Sequence, residues 1–259
     1  MNDDGVVLER IAGVATVTMT VPALRQETKV ALRDALDDVA KDPAVRAVVL
    51  AGTGKAYCVG QDLAEHSATL ANGAEAAFAT VREHYSPIVR SLMTMPKPVI
   101  AAVGGACVGA GLGLALACDY RVFAAGAKLG TAFAGIGLTF DSGLSFTLPR
   151  AVGDARAKEL ILFGQTFSAE DGIAWGIAGE TLEGEKVLER SHILARHLAQ
   201  GPTVALAESK RLISEGSGRG LDAALEAETA AQTRCGATAD HNAAVEAFLR
   251  RRKPTFLGL

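Results

Sequence analysis

A chain of 259 residues is long enough for one large domain or a domain with a helical appendage. Hydrophobic residues make up 49% and charged residues 21%, as in an ordinary globular enzyme, and a net charge of −3 gives no general attraction to nucleic acid or an anionic membrane. No stretch reaches the roughly eighteen uninterrupted apolar residues that spanning a bilayer requires, and the acidic opening Met1-Asn2-Asp3-Asp4 lacks the basic-then-apolar order of a secretory signal, so a cytoplasmic location is expected.

The first elements are two strand patterns, Val6 to Glu9 and Val14 to Met19, separated by Ala12-Gly13, which reads as a hairpin turn. Val30, Leu36 and Val39 recur at helical spacing and predict a helix from about Thr28 to Lys41. After Pro43, the run Val45 to Leu50 is apolar except for Arg46 and reads as a buried strand. Residues 64–79 are rich in Ala, Thr, Ser, Asn and Gly with little periodicity, and read as a mobile loop or a weak helix. A helix is predicted over Val81 to Met93; Pro96-Lys97-Pro98 then launches a second buried strand, Val99 to Val103. A glycine cluster from Gly104 to Gly113 leads into an apolar helix ending near Cys118, and a third strand, Tyr120 to Ala124, follows at once. Strand, helix, strand in this order predicts parallel pairing through crossovers. From Asp154 onward the pattern is helical, with a capping box at Ser168-Ala169-Glu170-Asp171 and helices near 183–199, 203–214, 221–235 and 240–251. The expected division is an α/β core over 1–195 and a helical region over 196–259.

Several catalytic patterns are not met. The glycines around Gly109 are spaced GxGxG, and no acidic residue ends a second strand about twenty residues later, so a dinucleotide fingerprint fails. Gly52-Thr53-Gly54-Lys55 has Val49 where a phosphate-binding loop needs its first glycine. The histidines at 66, 84, 192, 197 and 241 make no HExxH, and no GxSxG elbow is present. Cys58, Cys107, Cys118 and Cys235 show no CxxC spacing and are expected as buried thiols rather than disulfides or metal ligands. The glycine cluster keeps two readings. Small residues let a helix N-terminus approach a ligand, where outward amides carry partial positive charge suited to an oxyanion. Equally, they let a helix pack tightly on a sheet.

Two blocks carry a wider pattern: Gly54-Lys55-Ala56-Tyr57-Cys58-Val59-Gly60-Gln61-Asp62-Leu63, and Lys97-Pro98-Val99-Ile100-Ala101-Ala102-Val103-Gly104-Gly105 continuing through Gly109-Ala110-Gly111 to Ala117-Cys118-Asp119. With Pro149-Arg150-Ala151-Val152-Gly153, Ala174-Trp175-Gly176-Ile177-Ala178 and Ala247 to Pro254, the sequence resembles the enoyl-CoA hydratase/isomerase (crotonase) superfamily over nearly its whole length. The resemblance implies an α/β fold, a repeated ββα spiral whose last helices dock into a homotrimer, often stacked as a hexamer. It implies an acyl-CoA substrate and no metal or redox cofactor, since the chemistry runs on a stabilised thioester enolate. It makes the backbone N–H groups of Gln61 and Ala110 the oxyanion donors, each worth about 3–4 kcal/mol toward an enolate-like transition state. Ala56, Tyr57, Val59, Asp62, Leu63, Gly109 and Phe133 are the implied substrate contacts. An adenosine-phosphate contact falls on Arg25, in the turn Pro22-Ala23-Leu24-Arg25, and another on Arg251; a solvated surface charge is the other reading of each.

The pattern departs from the family's hydratases in two places. Those enzymes carry two glutamates, and the matching positions hold Gly113 and Phe133, neither of which transfers a proton. General acid–base help is worth about 10²–10⁴-fold, so the departure argues against a conventional hydratase. The segment Gly135-Ile136-Gly137-Leu138-Thr139-Phe140-Asp141-Ser142-Gly143 is similar to the GLxxDxG version found in dienoyl-CoA isomerases and the ring-epoxide isomerase of phenylacetate breakdown, which implies Asp141 as a catalytic base. Phe133, Phe140 and Leu144 are expected to desolvate it and raise its pKa above about 3.9. The other reading of Asp141 is an N-cap for the helix that follows. The expected activity is a double-bond or ring rearrangement with one aspartate base; the alternatives are a hydratase with atypical acid–base groups and a non-catalytic acyl-CoA binding protein.

Overall fold

Val6–Ile11 (β1) and Val14–Met19 (β2) pair antiparallel around the Ala12-Gly13 turn, as the hairpin reading expects. They open a computed structural model that describes residues 4–259, so Met1 to Asp3 of the acidic opening lie outside the described residues. Helix α1 (Gln26–Lys41) follows and buries Leu32, Leu36 and Val39. Strand β3 is Ala47–Gly52, starting two residues later than the apolar run predicts. Arg46 explains the shift: its guanidinium turns away to donate to Gly201 O at 2.5 Å, Thr203 Oγ1 at 2.9 Å and Phe256 O at 3.1 Å.

A short strand, β4 (Ala56–Cys58), precedes two helices, α2 (Leu63–Leu70) and α3 (Ala74–Thr80). The segment read as a loop or weak helix is therefore helical, with Asp62 capping α2 by accepting from the amides of Ala64 and Glu65, both at 2.9 Å. The helix predicted over Val81 to Met93 is two pieces, a π-helical turn (Val81–Tyr85) and α4 (Ser86–Thr94). Then come β5 (Val99–Val103), β6 (Ala106–Val108), α5 (Ala110–Ala117), β7 (Tyr120–Ala124) and β8 (Lys128–Gly130). Helix α6 (Leu144–Phe163) starts ten residues before the expected Asp154, and Gly153, at φ 79° and ψ 156°, breaks its regularity. The remaining elements are β9 (Phe167–Ser168), α7 (Ala169–Ala174), β10 (Gly179–Leu182), α8 (Val187–Ala199), α9 (Thr203–Gly216), α10 (Leu221–Gly236) and α11 (Ala239–Leu249). The capping box at Ser168 and Asp171 forms as expected.

Two sheets result. The larger runs β1-β2-β3-β5-β7-β10, parallel from β2 onward, and the smaller runs β4-β6-β8-β9. Each turn of the chain lays one strand in the large sheet and the next in the small one, before a helix in the first two turns: β3 then β4, β5 then β6, β7 then β8. This is the ββα spiral. Val48, Val49, Leu50 and Val99 to Val103 are buried on both faces of the large sheet, which is why they read as continuous apolar runs rather than alternations. The small sheet was not foreseen. Its strands have two or three residues, too few for a period to show.

Two lysines fasten helices to this frame. Lys97, 4% exposed, donates to the carbonyls of Val39, in the last turn of α1, and Asp42, just past its end. Lys210 of α9 reaches Leu92 O and Asp119 Oδ2 at 2.8 and 2.9 Å, holding the C-terminal helices against the core. Among the described residues no helix is long and apolar enough to cross a membrane.

Candidate active site

The small sheet builds the site. Parallel pairing of β4 with β6, Ala56 beside Ala106 and Cys58 beside Cys107, makes the two strands end side by side. Each then turns through a glycine, so Gly60-Gln61 and Gly109-Ala110 emerge at one place. A methyl group built on Gly60 would lie 3.5 Å from the Ala110 nitrogen.

The two amides are left open for different local reasons. On one side, Leu24 donates to Gly60 O at 2.8 Å and Asp62 donates to Leu24 O at 3.1 Å, in a parallel bridge between Leu24 and Gln61. Groups alternate along extended chain, so with 60 and 62 turned toward Leu24 the N–H of Gln61 faces the other way. On the other side, Ala110 is the first residue of α5, and the first N–H groups of a helix have no acceptor within it. Gly109 bonds to Gly130 O at 2.9 Å and sits at φ 59°, ψ −128°, a conformation only glycine adopts without cost. Among the described residues neither Gln61 N–H nor Ala110 N–H donates to a protein acceptor. Two amides that are uncommitted, adjacent and at the positive end of a buried helix can stabilise a developing oxyanion.

The opposite end of α5 is closed. Arg121, 6% exposed, donates to Ala178 O at 2.8 Å and Asp119 O at 2.7 Å, and lies within 3.5 Å of the carbonyls of Ala115 and Leu116. Cys118 Sγ adds a contact to Leu114 O. All eight residues of α5 are buried, so the helix is held rigidly along its length.

A third segment joins these two. Gly113, on the first turn of α5, packs on Ser142: a methyl group there would lie 2.5 Å from Ser142 O and 2.6 Å from its Cβ. Asp141 is thus brought to the first turn of α5. Burial raises its pKa, and the Ser142 hydroxyl, donating to Oδ1 at 2.7 Å, partly offsets that rise. The N-cap reading of Asp141 is not what forms: Gly143 is the N-cap of α6, and the carboxylate bonds to Ser142 rather than to a helix amide. Tyr85, at the end of the π-helical turn, is fully buried, and its hydroxyl has no partner among the described residues. Burial first, and then the nearby carboxylates of Asp141 and Glu65, hold this phenol protonated. Cys58 is no nucleophile, because burial pushes its thiol up to about 12.

The other expected contacts divide. Ala56, Asp62 and Phe133 are half-buried, while Val59 and Leu63 are exposed beside Gln61. Tyr57 is corrected: its side chain is 0% exposed and packs in the core, so it presents nothing to a ligand. Arg25 is exposed, follows the bridging Leu24 and pairs with Glu27 at 3.1 Å. Arg251 is exposed past the end of α11, and none of the contacts that assemble the site involves it. Ser142 and Tyr85 were passed over, since neither a positive φ at serine nor an unpartnered phenol is written in residue type. Two large surface clefts, of about 1050 and 1030 Å³, lie elsewhere, between β1 and α1 and among α9, α10 and α11. They are open grooves without convergent polar groups of this kind, so the paired amides mark the chemistry better than cavity size does.

Comparison with known proteins gives the same direction. The family model described as Enoyl-CoA hydratase/isomerase matches residues 9–258. A 1,2-epoxyphenylacetyl-CoA isomerase of Escherichia coli is 37% identical over 250 residues, covering 95% of each chain. A Rhodobacter capsulatus protein described as an enoyl-CoA hydratase is also 37% identical, over 249 residues and 95% of each chain. The crystal structure of a Mycobacterium abscessus protein described as an enoyl-CoA hydratase/isomerase superposes with a TM-score of 0.94 at 45% identity, over 98% of this chain and all of that one.

Proposed function

Because this chain belongs to the enoyl-CoA hydratase/isomerase family, we propose that it is an isomerase of an unsaturated or ring-derived acyl-CoA, with Asp141 as its one base. The thioester carbonyl oxygen accepts from the Gln61 and Ala110 amides. Asp141 takes a proton from one carbon, the electron pair moves into an enolate whose oxygen those amides stabilise, and the carboxylic acid returns the proton to another carbon. The double bond has moved and the carboxylate is restored. One group suffices, whereas syn addition of water calls for a group to activate water and a second to orient it.

The observation that carries this reading is the closed space at Gly113. A side chain there collides with Ser142, so a glutamate has no room where the family's hydratases keep one. The likeness to the Escherichia coli isomerase supports the same assignment. A hydratase with rearranged acid–base groups is the second reading, favoured by the equally similar Rhodobacter protein. A homotrimer or hexamer belongs to the proposal: Phe248 and Leu249, 81% and 76% exposed at the end of α11, are apolar surface for a neighbouring subunit to cover, which light scattering reads directly.

Crotonyl-CoA and a 3-enoyl-CoA incubated with the protein in deuterated water separate the readings. Isomerisation of the 3-enoyl-CoA creates the enone absorbance and carries label to the γ carbon; hydration of crotonyl-CoA removes that absorbance and adds deuterium at the α carbon with oxygen at the β carbon, leaving γ unlabelled. Asp141→Asn is expected to abolish exchange while keeping thioester affinity within a few-fold. Unchanged exchange in that variant removes Asp141 from the mechanism.

A further inference from the structure

Resting on Asp141 as the base, we propose that Ser142 is its positioning residue: a serine held in a left-handed turn so that its hydroxyl fixes one carboxylate oxygen and leaves the other for the substrate proton. Four observations converge. Ser142 has φ 52°, a left-handed backbone that a residue with a side chain adopts only under strain. It is 4% exposed, and its Cβ and carbonyl oxygen fill the space beside Gly113 of α5. The next residue, Gly143, is also left-handed at φ 77°, and a methyl group on it would meet Val89 Cγ1 of α4 at 2.9 Å. The turn is therefore gripped between two helices, and the surroundings hold a conformation that serine would not choose. Finally, Ser142 Oγ donates to Asp141 Oδ1 at 2.7 Å, while Oδ2 accepts from no protein group among the described residues.

The chemistry follows from that asymmetry. A hydroxyl donated to a carboxylate favours its charged form, so Ser142 offsets part of the rise that burial gives the Asp141 carboxyl and stops it from rotating. From α4 and the π-helical turn the titratable group reaching Asp141 is Tyr85, which stays protonated throughout the working range. From α5 the facing residue is Gly113, which does not titrate.

The test compares the pH profile of proton exchange in wild type, Ser142→Ala and Ser142→Gly, with Asp141→Asn alongside. Losing one hydrogen bond to a charged group should slow exchange about ten-fold and move the acid limb to higher pH by about one unit, with thioester affinity within three-fold. Ser142→Gly relieves the left-handed backbone, so the same displacement there assigns the effect to the hydroxyl rather than to strain. If Asp141→Asn is inactive but both serine variants keep the wild-type profile, Ser142 only fills space and the proposal falls while the base assignment stands. If Asp141→Asn still exchanges protons, both fall together.

Discussion

The two ends of α5 are built to opposite rules within eight residues. At its C-terminus a buried guanidinium and a thiol meet carbonyls the helix leaves over, and nothing there is open to a ligand. At its N-terminus the Ala110 amide, equally buried, has no protein acceptor among the described residues, and neither has the Gln61 amide beside it. An unsatisfied buried donor costs about 1–3 kcal/mol, and on the proposed function the thioester oxygen meets that cost at the second end. The difference separates stability from chemistry along a single helix.

Three substitutions probe that division, from the largest expected effect down. Arg121→Met takes the donor from the closed end and should cost about 3–5 kcal/mol in urea unfolding; a loss below about 1 kcal/mol would show that end to be indifferent to its cap. Ala110→Pro deletes the donor at the open end, yet proline suits the first position of a helix. Turnover should fall about 10²–10³-fold with the melting temperature nearly unchanged, and full activity in this variant would empty the oxyanion assignment. The smallest effect sharpens the contrast by charge. Asp141 is raised by burial in the folded state, so its protonated form favours folding, and that contribution is complete below the unfolded pKa and lost as pH rises through the folded one. Asp141→Asn should therefore raise the melting temperature slightly at pH 7, and the gain should vanish near pH 3. A drop at pH 7 would mean the carboxylate stabilises the fold.

How much of this was legible in the residues depends on segment length. Strands β3, β5 and β7 were readable because Val48 to Leu50, Val99 to Val103 and Val122 to Ala124 are buried on both faces, which leaves continuous apolar runs. The small sheet was not, although it assembles the site, because a strand such as Lys128–Gly130 carries no period. Helix α6 was half visible: Pro149 and Gly153 punctuate its first part and hid its true start at Leu144. Within the site, Gln61, Ala110 and Asp141 came from the family resemblance, and the geometry supplied the reason the amides are free. Tyr57 misled for a physical reason. An aromatic next to a glycine-rich loop fits a ligand wall as well as it fits a core, and only burial tells them apart.

Helix α2 leaves the Gln61 turn with no buried residue of its own. It is moored to α1 mainly through Glu65, which accepts from Gln26 N at 2.7 Å and from the buried Lys29 ammonium at 3.3 Å. A segment tethered so sparsely contributes little to the frame. On the proposed function, residues 63–70 are where acyl selectivity can be altered at least cost to the spiral beneath, and a laboratory seeking it should begin by shuffling that stretch and keeping Glu65.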